Sequence, residues 1–331
     1  MELKDLGELD FITGLKEGFA ETGPRIIKAI GDDTAVTVQD SASYLLTTTD
    51  TLTEGVHFSR EYFDPFMLGR KALFVSLSDI AAMGGSPLFF LSSITLPAST
   101  EERFLRELYL GFKDAATEYN TPLVGGNTTS APDAITLTTT VVGEVPKGEV
   151  VLRSGANEGD AIFVTGILGD SALGLRILSS GESAVGSEDV VSRHLAPAPR
   201  LRAGRLLAER GLATAMIDVS DGLVLDLKRL AYDSKVGVEV NVDSIPLSGF
   251  FREALAKEPE LMELALSGGE DYELLFTAPA ENRAALKEIA KETGVSITEI
   301  GRVVEKKRGI SIFDKEGNPV KPRRDGYEHF K

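Results

Sequence analysis

The sequence predicts an α/β (α+β) protein made of two mixed α/β domains, and two observations support this fold class. Apolar runs typical of strands alternate with amphipathic runs typical of helices along the 331 residues. A chain of this length exceeds the usual size of one hydrophobic core, so two domains of roughly 150 residues each are expected. The chain becomes turn-rich between Pro146 and Asp160. We therefore expect one domain over residues 1–150 and a second over residues 151–331.

The first half contains three predicted strands and two predicted helices. The strands cover Ser43–Thr49, Phe89–Leu96 and Ile135–Val141, and the helices cover Pro65–Met83 and Glu101–Tyr119. Asp64 before Pro65, and Ser99 with Glu102 three residues on, are typical of helix starts. The third strand alternates apolar and polar residues, which is typical of a half-exposed strand. Its exposed face needs cover, and a partner subunit is one candidate for it.

The second half alternates predicted strands and helices as well. Helices follow Asp170 and Pro199, a third covers Leu223–Asp233, and strands cover Ala161–Thr165, Ala215–Val219, Val236–Val242, Leu274–Thr277 and Ile297–Val303. The segment Ser179–Asp189 is rich in Ser, Gly and Glu and is predicted to be a mobile surface loop. The basic segments Lys306–Arg308 and Lys321–Arg324 are predicted to be solvated turns that flank a hairpin near the C-terminus.

Composition excludes several classes of protein. The 35 Lys and Arg stand against 51 Asp and Glu, a net charge of −16, which argues against a nucleic-acid-binding protein because such proteins need a basic surface. The chain has no Cys, which excludes a disulfide scaffold, a thiol nucleophile and a Cys-ligated metal. No apolar run has membrane-spanning length and the N-terminus lacks a signal-peptide pattern. A soluble cytoplasmic protein is expected.

Carboxylates recur five times at the ends of apolar, β-rich runs. They lie in Gly31–Thr34, Thr48–Thr51, Leu77–Ile80, Ile217–Gly222 and Ser267–Tyr272. A carboxylate beside a buried element is costly to desolvate unless a cation or hydrogen bonds neutralise it. Carboxylates with Thr and Ser hydroxyls form an all-oxygen ligand set of the kind that Mg²⁺ prefers. The alternative, that each Asp is a helix cap or turn residue, is weakest for Asp79, which lies within a helix that is apolar on nearly all sides.

Two Gly-rich segments, Val124–Thr129 and Val164–Ser171, are candidates for phosphate contact, although such glycines often only turn the chain. The sequence has no Walker A motif, no dinucleotide fingerprint and no protein-kinase catalytic loop. An acidic site accepts polyphosphate once bound cations reverse its local charge. The residues thus indicate metal-assisted phosphoryl transfer or phosphate-ester hydrolysis, with His57 a base, a substrate contact or an ordinary surface residue.

The ordered set of motifs resembles the thiamine-monophosphate kinase family, within the aminoimidazole ribonucleotide synthetase-like superfamily. The resemblance runs from about Gly31 to Phe330 and includes the segments Gly31–Asp33, Thr49–Thr51 with His57, Leu77–Gly84, Asp218–Leu223, Ser267–Leu274 and Gly326–Phe330. It implies two α/β domains and a homodimer whose N-terminal sheets form a barrel across the interface, with ATP nearby. It also implies direct in-line transfer of the ATP γ-phosphate onto thiamine monophosphate, giving thiamine diphosphate.

The same resemblance assigns roles to individual residues. Several Mg²⁺ ions would be held by Asp33, Thr48, Thr49, Asp50, Asp79, Asp218, Asp221 and, with a neutral carbonyl where many relatives have Asp, Asn127. ATP, the co-substrate, would contact Tyr109, Gly126, Asn127, Arg153 and Ser220, and thiamine monophosphate would contact His57, Glu270 and Tyr327. No side chain is assigned as a catalytic residue, because the metals and positioning carry the transfer.

Three alternatives remain open at this point. The first is an aminoimidazole ribonucleotide synthetase-like ligase that uses ATP. The second is a non-catalytic protein that binds a nucleotide or thiamine phosphate, and the third is a metal-dependent phosphatase. The absence of Cys argues against the hydrogenase-maturation and selenophosphate-synthetase branches of the superfamily, which need a Cys or selenocysteine.

Overall fold

A computed structural model describes residues 8–19, 23–181 and 185–329, which form two six-stranded sheets with helices packed against them. The first sheet has the strand order β1-β2-β3-β6-β4-β5. Its strands are β1 (Ile26–Lys28), β2 (Ala35–Val38), β3 (Ser43–Thr53), β4 (Ser86–Leu96), β5 (Leu123–Ser130) and β6 (Thr136–Pro146). Every neighbouring pair is antiparallel except β4 and β5.

The second sheet has the order β12-β9-β11-β7-β10-β8 and is formed by the second half of the chain. Its strands are β7 (Ala161–Thr165), β8 (Ala215–Asp218), β9 (Gly237–Asn241), β10 (Leu274–Ala278), β11 (Ile297–Val304) and β12 (Ile310–Phe313). The predicted hairpin near the C-terminus is confirmed, because Phe313 bridges Pro319 in antiparallel and the Val320 amide donates a 2.8 Å hydrogen bond to the Ile312 carbonyl. The turn Lys306–Arg308 precedes it, and β12 also pairs in parallel with β9, which the sequence did not predict.

Ten α-helices lie in the described part of the chain. They are α1 (Glu8–Gly18), α2 (Pro65–Ala82), α3 (Glu102–Glu118), α4 (Asp170–Ser180), α5 (Glu188–Leu195), α6 (Leu201–Glu209), α7 (Leu223–Ser234), α8 (Gly249–Lys257), α9 (Met262–Ser267) and α10 (Arg283–Thr293). The Asp64 cap is confirmed, because its side chain accepts hydrogen bonds from the amides of Phe66 and Met67. The predicted capping box at Ser99 is wrong, since α3 begins after Glu101 without a side-chain cap.

Helix α2 is the element that joins the two halves. It packs on the first sheet and on α3, and it also contacts α6 and β8 of the second half. Close approach to α3 requires glycine, because a Cβ at Gly111 would lie 1.9 Å from the carbonyl oxygen of Phe66. Side chains on α2 therefore reach residues of both sheets, and one buried hydrophobic cluster includes residues of both halves.

The structure confirms two mixed α/β domains, while some finer expectations remain predictions. The first sheet is open in the described residues, with β1 and β5 at its edges, so the barrel across a dimer interface stays a prediction. The predicted loop at 179–189 is shorter than expected, because α4 continues to Ser180 and α5 begins at Glu188, and residues 182–184 lie outside the described residues. No helix in the described ranges combines the length and apolarity that crossing a membrane requires.

Candidate active site

Three carboxylates from distant parts of the sequence meet where the two halves join. One oxygen atom of each of Asp33, Asp79 and Asp218 lies within 4.8 Å of the other two. Asp33 precedes β2, Asp79 lies near the C-terminus of α2, and Asp218 ends β8. Ser78 donates a hydrogen bond of 2.6 Å to Asp218, and Thr48 of β3 donates one to Asp79. The predicted carboxylates of both halves therefore form one cluster.

Strand β3 divides its predicted ligands between the two faces of the first sheet. Alternation along the strand puts Thr48 and Asp50 on the inner face, which packs against α2. Thr49 lies on the opposite, exposed face, where its hydroxyl contacts that of Thr140 at 3.0 Å. The structure thus brings Thr48 and Asp50 to the cluster and does not bring the Thr49 side chain there.

The electrostatics of the cluster fit a divalent cation. Burial, reinforced by neighbouring carboxylates, raises the pKa of Asp79 and of Asp218 well above the ordinary value. Burial likewise raises the pKa of Asp50 to about 6. One oxygen atom each of Asp33 and Asp50 is buried without a hydrogen-bond partner among the described residues. Buried, mutually repelling carboxylates with unused oxygens are the donor set that Mg²⁺ takes.

Two arginines partly balance the negative charge. The Arg153 guanidinium, predicted to contact the nucleotide, contacts one oxygen of Asp33 through Nε at 3.0 Å and Nη2 at 2.5 Å. Arg229 contacts Asp221 at 2.6 Å and Asp226 at 2.8 Å. Ser220, another predicted nucleotide contact, lies beside the cluster, with its hydroxyl 3.5 Å from an oxygen of Asp218. Both arginines thus hold predicted metal ligands, Arg153 through Asp33 and Arg229 through Asp221.

The residues predicted to contact thiamine phosphate lie next to the carboxylate cluster. Tyr327 is held there because its amide donates a 2.9 Å hydrogen bond to the Asp221 carbonyl. Its ring meets that of His329 edge-on at 5.0 Å, and His329 in turn lies 5.4 Å from the ring of His57. Burial lowers the pKa of His57, while nearby Glu270 opposes that effect. His57, Glu270 and Tyr327 therefore lie in one region of the molecule.

The remaining predicted nucleotide contacts lie farther away. Tyr109 lines a cleft of about 560 Å³ with the aromatic and apolar residues Phe90, Phe112 and Leu123. Gly126 lies in the same row of the first sheet as Asp50, but three strands away, about 14 Å at ordinary strand spacing. Asn127 is one residue on and shares a face with the exposed Thr51. Within one chain, these residues do not join the carboxylate cluster.

Sequence reasoning assigned no role to three residues of this region, although Asp32 lies in a motif that it singled out. Asp32 accepts a 3.2 Å hydrogen bond from the Arg153 amide, and burial raises its pKa to about 6. Lys71 and His194 both contact Glu270. A signal existed for Lys71, which is a cation inside the same apolar helix that drew attention to Asp79. None existed for His194, because a histidine in the last turn of a helix is ordinary.

Comparison with known proteins agrees with this architecture. The family model described as AIR synthase related protein, N-terminal domain, matches residues 31–145, and the corresponding C-terminal domain model matches residues 157–314. The thiamine-monophosphate kinase of Escherichia coli (strain K12) is 41% identical over 307 residues, 91% of each chain. That of Aquifex aeolicus is 38% identical over 335 residues and the full length of both chains.

A solved structure is also similar to this chain over nearly its whole length. The structure of AaThiL complexed with AMPPCP and TMP superimposes with a TM-score of 0.86 at 37% identity and covers 99% of both chains. The two matched domains and the carboxylate-lined junction between them define an AIR synthase related protein. Sequence identity of 41% and 38% to two thiamine-monophosphate kinases, over 91% and all of the chain, shows which family of this class it belongs to. The chain belongs to the thiamine-monophosphate kinase family.

Proposed function

We propose that this protein phosphorylates thiamine monophosphate with ATP, giving thiamine diphosphate and ADP. An oxygen of the thiamine phosphate attacks the γ-phosphorus of ATP in line, and the bond from that phosphorus to the β,γ-bridging oxygen breaks. The observation that carries the proposal is the convergence of Asp33, Asp79 and Asp218 beside the acceptor residues. The AaThiL structure supports it as well, since that complex holds AMPPCP, an ATP analogue, together with TMP.

The carboxylate cluster is the proposed Mg²⁺ site. Asp33, Asp50, Asp79, Asp218 and Asp221, with the hydroxyl of Thr48, would hold the ions. Bound Mg²⁺ supplies positive charge that binds the ATP phosphates and balances charge as the γ-phosphate moves. Thr49 and Asn127 remain in the proposed ligand set, although their side chains lie on the other face of the first sheet. Arg153 and Ser220 would contact the phosphates of ATP and Tyr109 its base.

The acceptor would bind beside the metals. His57 and Glu270 would contact thiamine monophosphate, and the exposed ring of Tyr327 would stack on an aromatic part of it. No described side chain need act as a general base, because the attacking group is a phosphate oxygen that is already ionised at neutral pH. The work of the chain is then to hold both phosphates in line and to exclude competing water.

We further propose a homodimer formed through the first sheet. All eight residues of β5 are exposed at the sheet edge, including the large apolar side chains of Leu123 and Val124. An apolar, unpaired edge strand is a ready surface for a second copy of the chain. Two such sheets would close the barrel expected for the family and bring the Tyr109 cleft close to the interface. The division at residue 150 and a cytoplasmic location remain part of this proposal.

A single incubation tests the function. Protein with thiamine monophosphate, ATP and Mg²⁺ should form thiamine diphosphate and ADP in equal amounts, measured by chromatography. Omitting ATP should abolish all product, whereas a phosphatase would still release inorganic phosphate. Formation of ADP without thiamine diphosphate would favour a ligase acting on another acceptor. Binding of both ligands without any product would favour a non-catalytic binding protein.

A further inference from the structure

Lys71 is a fully buried lysine on α2, and neither substrate nor metal binding has been assigned to it so far. Its ammonium group lies 3.1 Å from Oε1 of Glu270 and donates a 3.0 Å hydrogen bond to the carbonyl oxygen of His194. It also lies 5.2 Å from the centre of the Phe63 ring. A buried ammonium is costly unless it is paired. Glu270 is the carboxylate that pairs with it, so the two groups depend on each other.

The second oxygen of Glu270 has a partner too. Oε2 lies 3.2 Å from Nδ1 of His194, and the Ser171 hydroxyl lies 3.3 Å from the same nitrogen. Burial lowers the pKa of His194 to about 3, so its ring is neutral at physiological pH. The tautomer with a proton on Nδ1 is the one that donates to a carboxylate. Both oxygens of Glu270 are therefore held, from α2 on one side and from α5 on the other.

The backbone of Glu270 is itself in a conformation that needs support. Its φ is +58°, in the left-handed region that non-glycine residues rarely adopt, and φ at Tyr272 is +50°. The Glu270 amide donates a 2.7 Å hydrogen bond to the Ser220 carbonyl, which ties the segment to the loop that carries Asp218 and Asp221. Such strain persists where surrounding contacts overdetermine the conformation, and these places are often ligand clamps.

We propose that Lys71 and His194 are positioning residues that hold Glu270 for recognition of the acceptor, an inference that rests on the proposed function. The Glu270 side chain keeps 22% of its surface exposed while both of its oxygens are held by buried groups. A carboxylate held in this way presents one fixed orientation to a ligand, so less ordering is needed on binding. Recognition of thiamine monophosphate would then depend on the position of α2, which carries Lys71, relative to the second half of the chain, which carries His194 and Glu270.

A stabilising role alone is the competing explanation, and physical chemistry makes it weak. Buried ion pairs often contribute little to stability relative to apolar residues of similar size, because desolvation offsets their attraction. Removing one partner is damaging mainly since the other is left as an unpaired buried charge. Lys71→Met should therefore harm Glu270, whereas Lys71→Met with Glu270→Gln leaves no buried charge behind.

Steady-state kinetics on these variants tests the inference. Lys71→Met should raise the KM for thiamine monophosphate about ten-fold, the effect of one lost charge-assisted contact, and leave the KM for ATP unchanged. In the Glu270→Gln background the same change should add little, because Lys71 acts through Glu270. A rise of the same size in both backgrounds, equal rises for both substrates, or no rise at all would each overturn the proposal.

A matched control variant separates an effect on the position of Glu270 from an effect on the stability of the fold. Arg205 on α6 also donates to a backbone carbonyl, that of Gly84 at 3.0 Å, and pairs with a carboxylate, Glu149, away from the site. Arg205→Met should lower the melting temperature without changing the KM for thiamine monophosphate. A rise in that KM as large as the rise for Lys71→Met would mean that general loosening explains both variants, against the proposal.

The His194 variants decide the matter if Lys71→Met does not fold. Asparagine places an amide nitrogen close to the position of Nδ1, so His194→Asn should keep a near-normal KM for thiamine monophosphate and His194→Leu should raise it. Equal behaviour of the two would contradict the proposal. If the wild-type protein makes no thiamine diphosphate, the proposed function fails by itself. Calorimetric binding of thiamine monophosphate to the same variants then judges the positioning role separately.

Discussion

Ser78 on α2 donates a 2.6 Å hydrogen bond to Asp218 at the end of β8, so one buried contact joins the two halves of the chain at the proposed metal site. Hydrogen bonds to charged groups contribute about 1.5–3 kcal/mol. Ser78→Ala should therefore lower turnover about ten-fold at limiting Mg²⁺ and raise the Mg²⁺ concentration needed for half-maximal activity. Thr293→Ala, which removes another helical hydroxyl, bonded to the Ile289 carbonyl at 2.8 Å, is the control. The same response in both variants would argue against a role for Ser78 at the site.

Asp50 should show opposite effects on activity and on stability. Its side chain is buried among carboxylates, and burial is the main reason that its pKa is raised to about 6. Asp50→Asn should reduce turnover at least about 100-fold if a metal ligand is lost, the scale seen for groups that stabilise transferring charge. It should also raise the melting temperature without Mg²⁺, because one repelling charge is gone. Near-normal turnover at saturating Mg²⁺ would rule out Asp50 as a ligand.

Stability without Mg²⁺ should fall as the pH rises. Burial first, and neighbouring charge second, raise the folded-state pKa to about 6 for Asp32. For Asp226 burial, opposed by Arg229, raises it to about 7. Unfolded Asp titrates near about 3.9, so the folded state holds more protons between about pH 4 and 7, and its stability declines over that window as pH increases.

Added Mg²⁺ should counteract this decline, because the pKa values of the proposed ligands Asp50, Asp79 and Asp218 are raised as well and the ion binds their ionised form. The rise in melting temperature caused by Mg²⁺ should then be larger at pH 7.5 than at pH 5, measured by differential scanning fluorimetry. Asp50→Asn should shrink the difference between the two pH values. A Mg²⁺ effect that does not change with pH would mean that ionisation of these carboxylates is not linked to metal binding.

Tyr327 should affect one substrate and not the other. Tyr327 is 38% exposed and borders the predicted acceptor region, where ring stacking contributes roughly 0.5–1.5 kcal/mol beyond area burial. Tyr327→Ala should raise the KM for thiamine monophosphate several-fold and leave that for ATP nearly unchanged, whereas Tyr327→Phe should resemble wild type. Equal damage to both substrates with a lower melting temperature would identify Tyr327 as a packing anchor.

The exposed strand β5 predicts a dimer that one substitution disrupts. Val124 is 58% exposed on this edge strand, and a charge there would be buried between two copies of the chain. Sedimentation at micromolar concentration should give about twice the chain mass for wild type and about the single mass for Val124→Lys. Val185 is 94% exposed and lies outside β5, so the control variant Val185→Lys should leave the sedimenting mass unchanged. A wild-type monomer in the presence of Mg²⁺ and ATP would refute the dimer.

Local chemistry made much of the fold predictable from sequence. Asp64 before Pro65 marks a helix start because a carboxylate and a proline satisfy the same unbonded amides, and α2 begins there. Ser99 satisfied the capping pattern equally well, yet the chain reaches α3 through Glu101. The capping-box pattern shows that a capping side chain is available. It does not show at which residue tertiary packing starts the helix.

Long-range pairing was the part that sequence could not supply. The predicted hairpin after Lys306–Arg308 forms, because chain segments close in sequence usually pair, and Phe313 bridges Pro319 there. The sequence did not indicate that β12 also pairs in parallel with β9, which lies much earlier in the chain. In the site, Asp79 was predictable as a carboxylate in an apolar helix. Thr48 and Thr49 could not be distinguished from sequence, because they differ only in the face of β3 on which each side chain lies. The hydrogen bonds of β3 decide which of the two faces α2.

The hydrogen bond from the Tyr327 amide to the Asp221 carbonyl has a consequence for the hydrolysis of ATP by water. Cleaving the chain within residues 321–326 would release the tail that borders the acceptor region and leave the carboxylates in place. The γ-phosphate would then face solvent with no competing acceptor. Under the proposed function, a nicked form of the protein should therefore behave as a slow ATPase, and the C-terminal tail would be the element that limits hydrolysis of ATP without transfer.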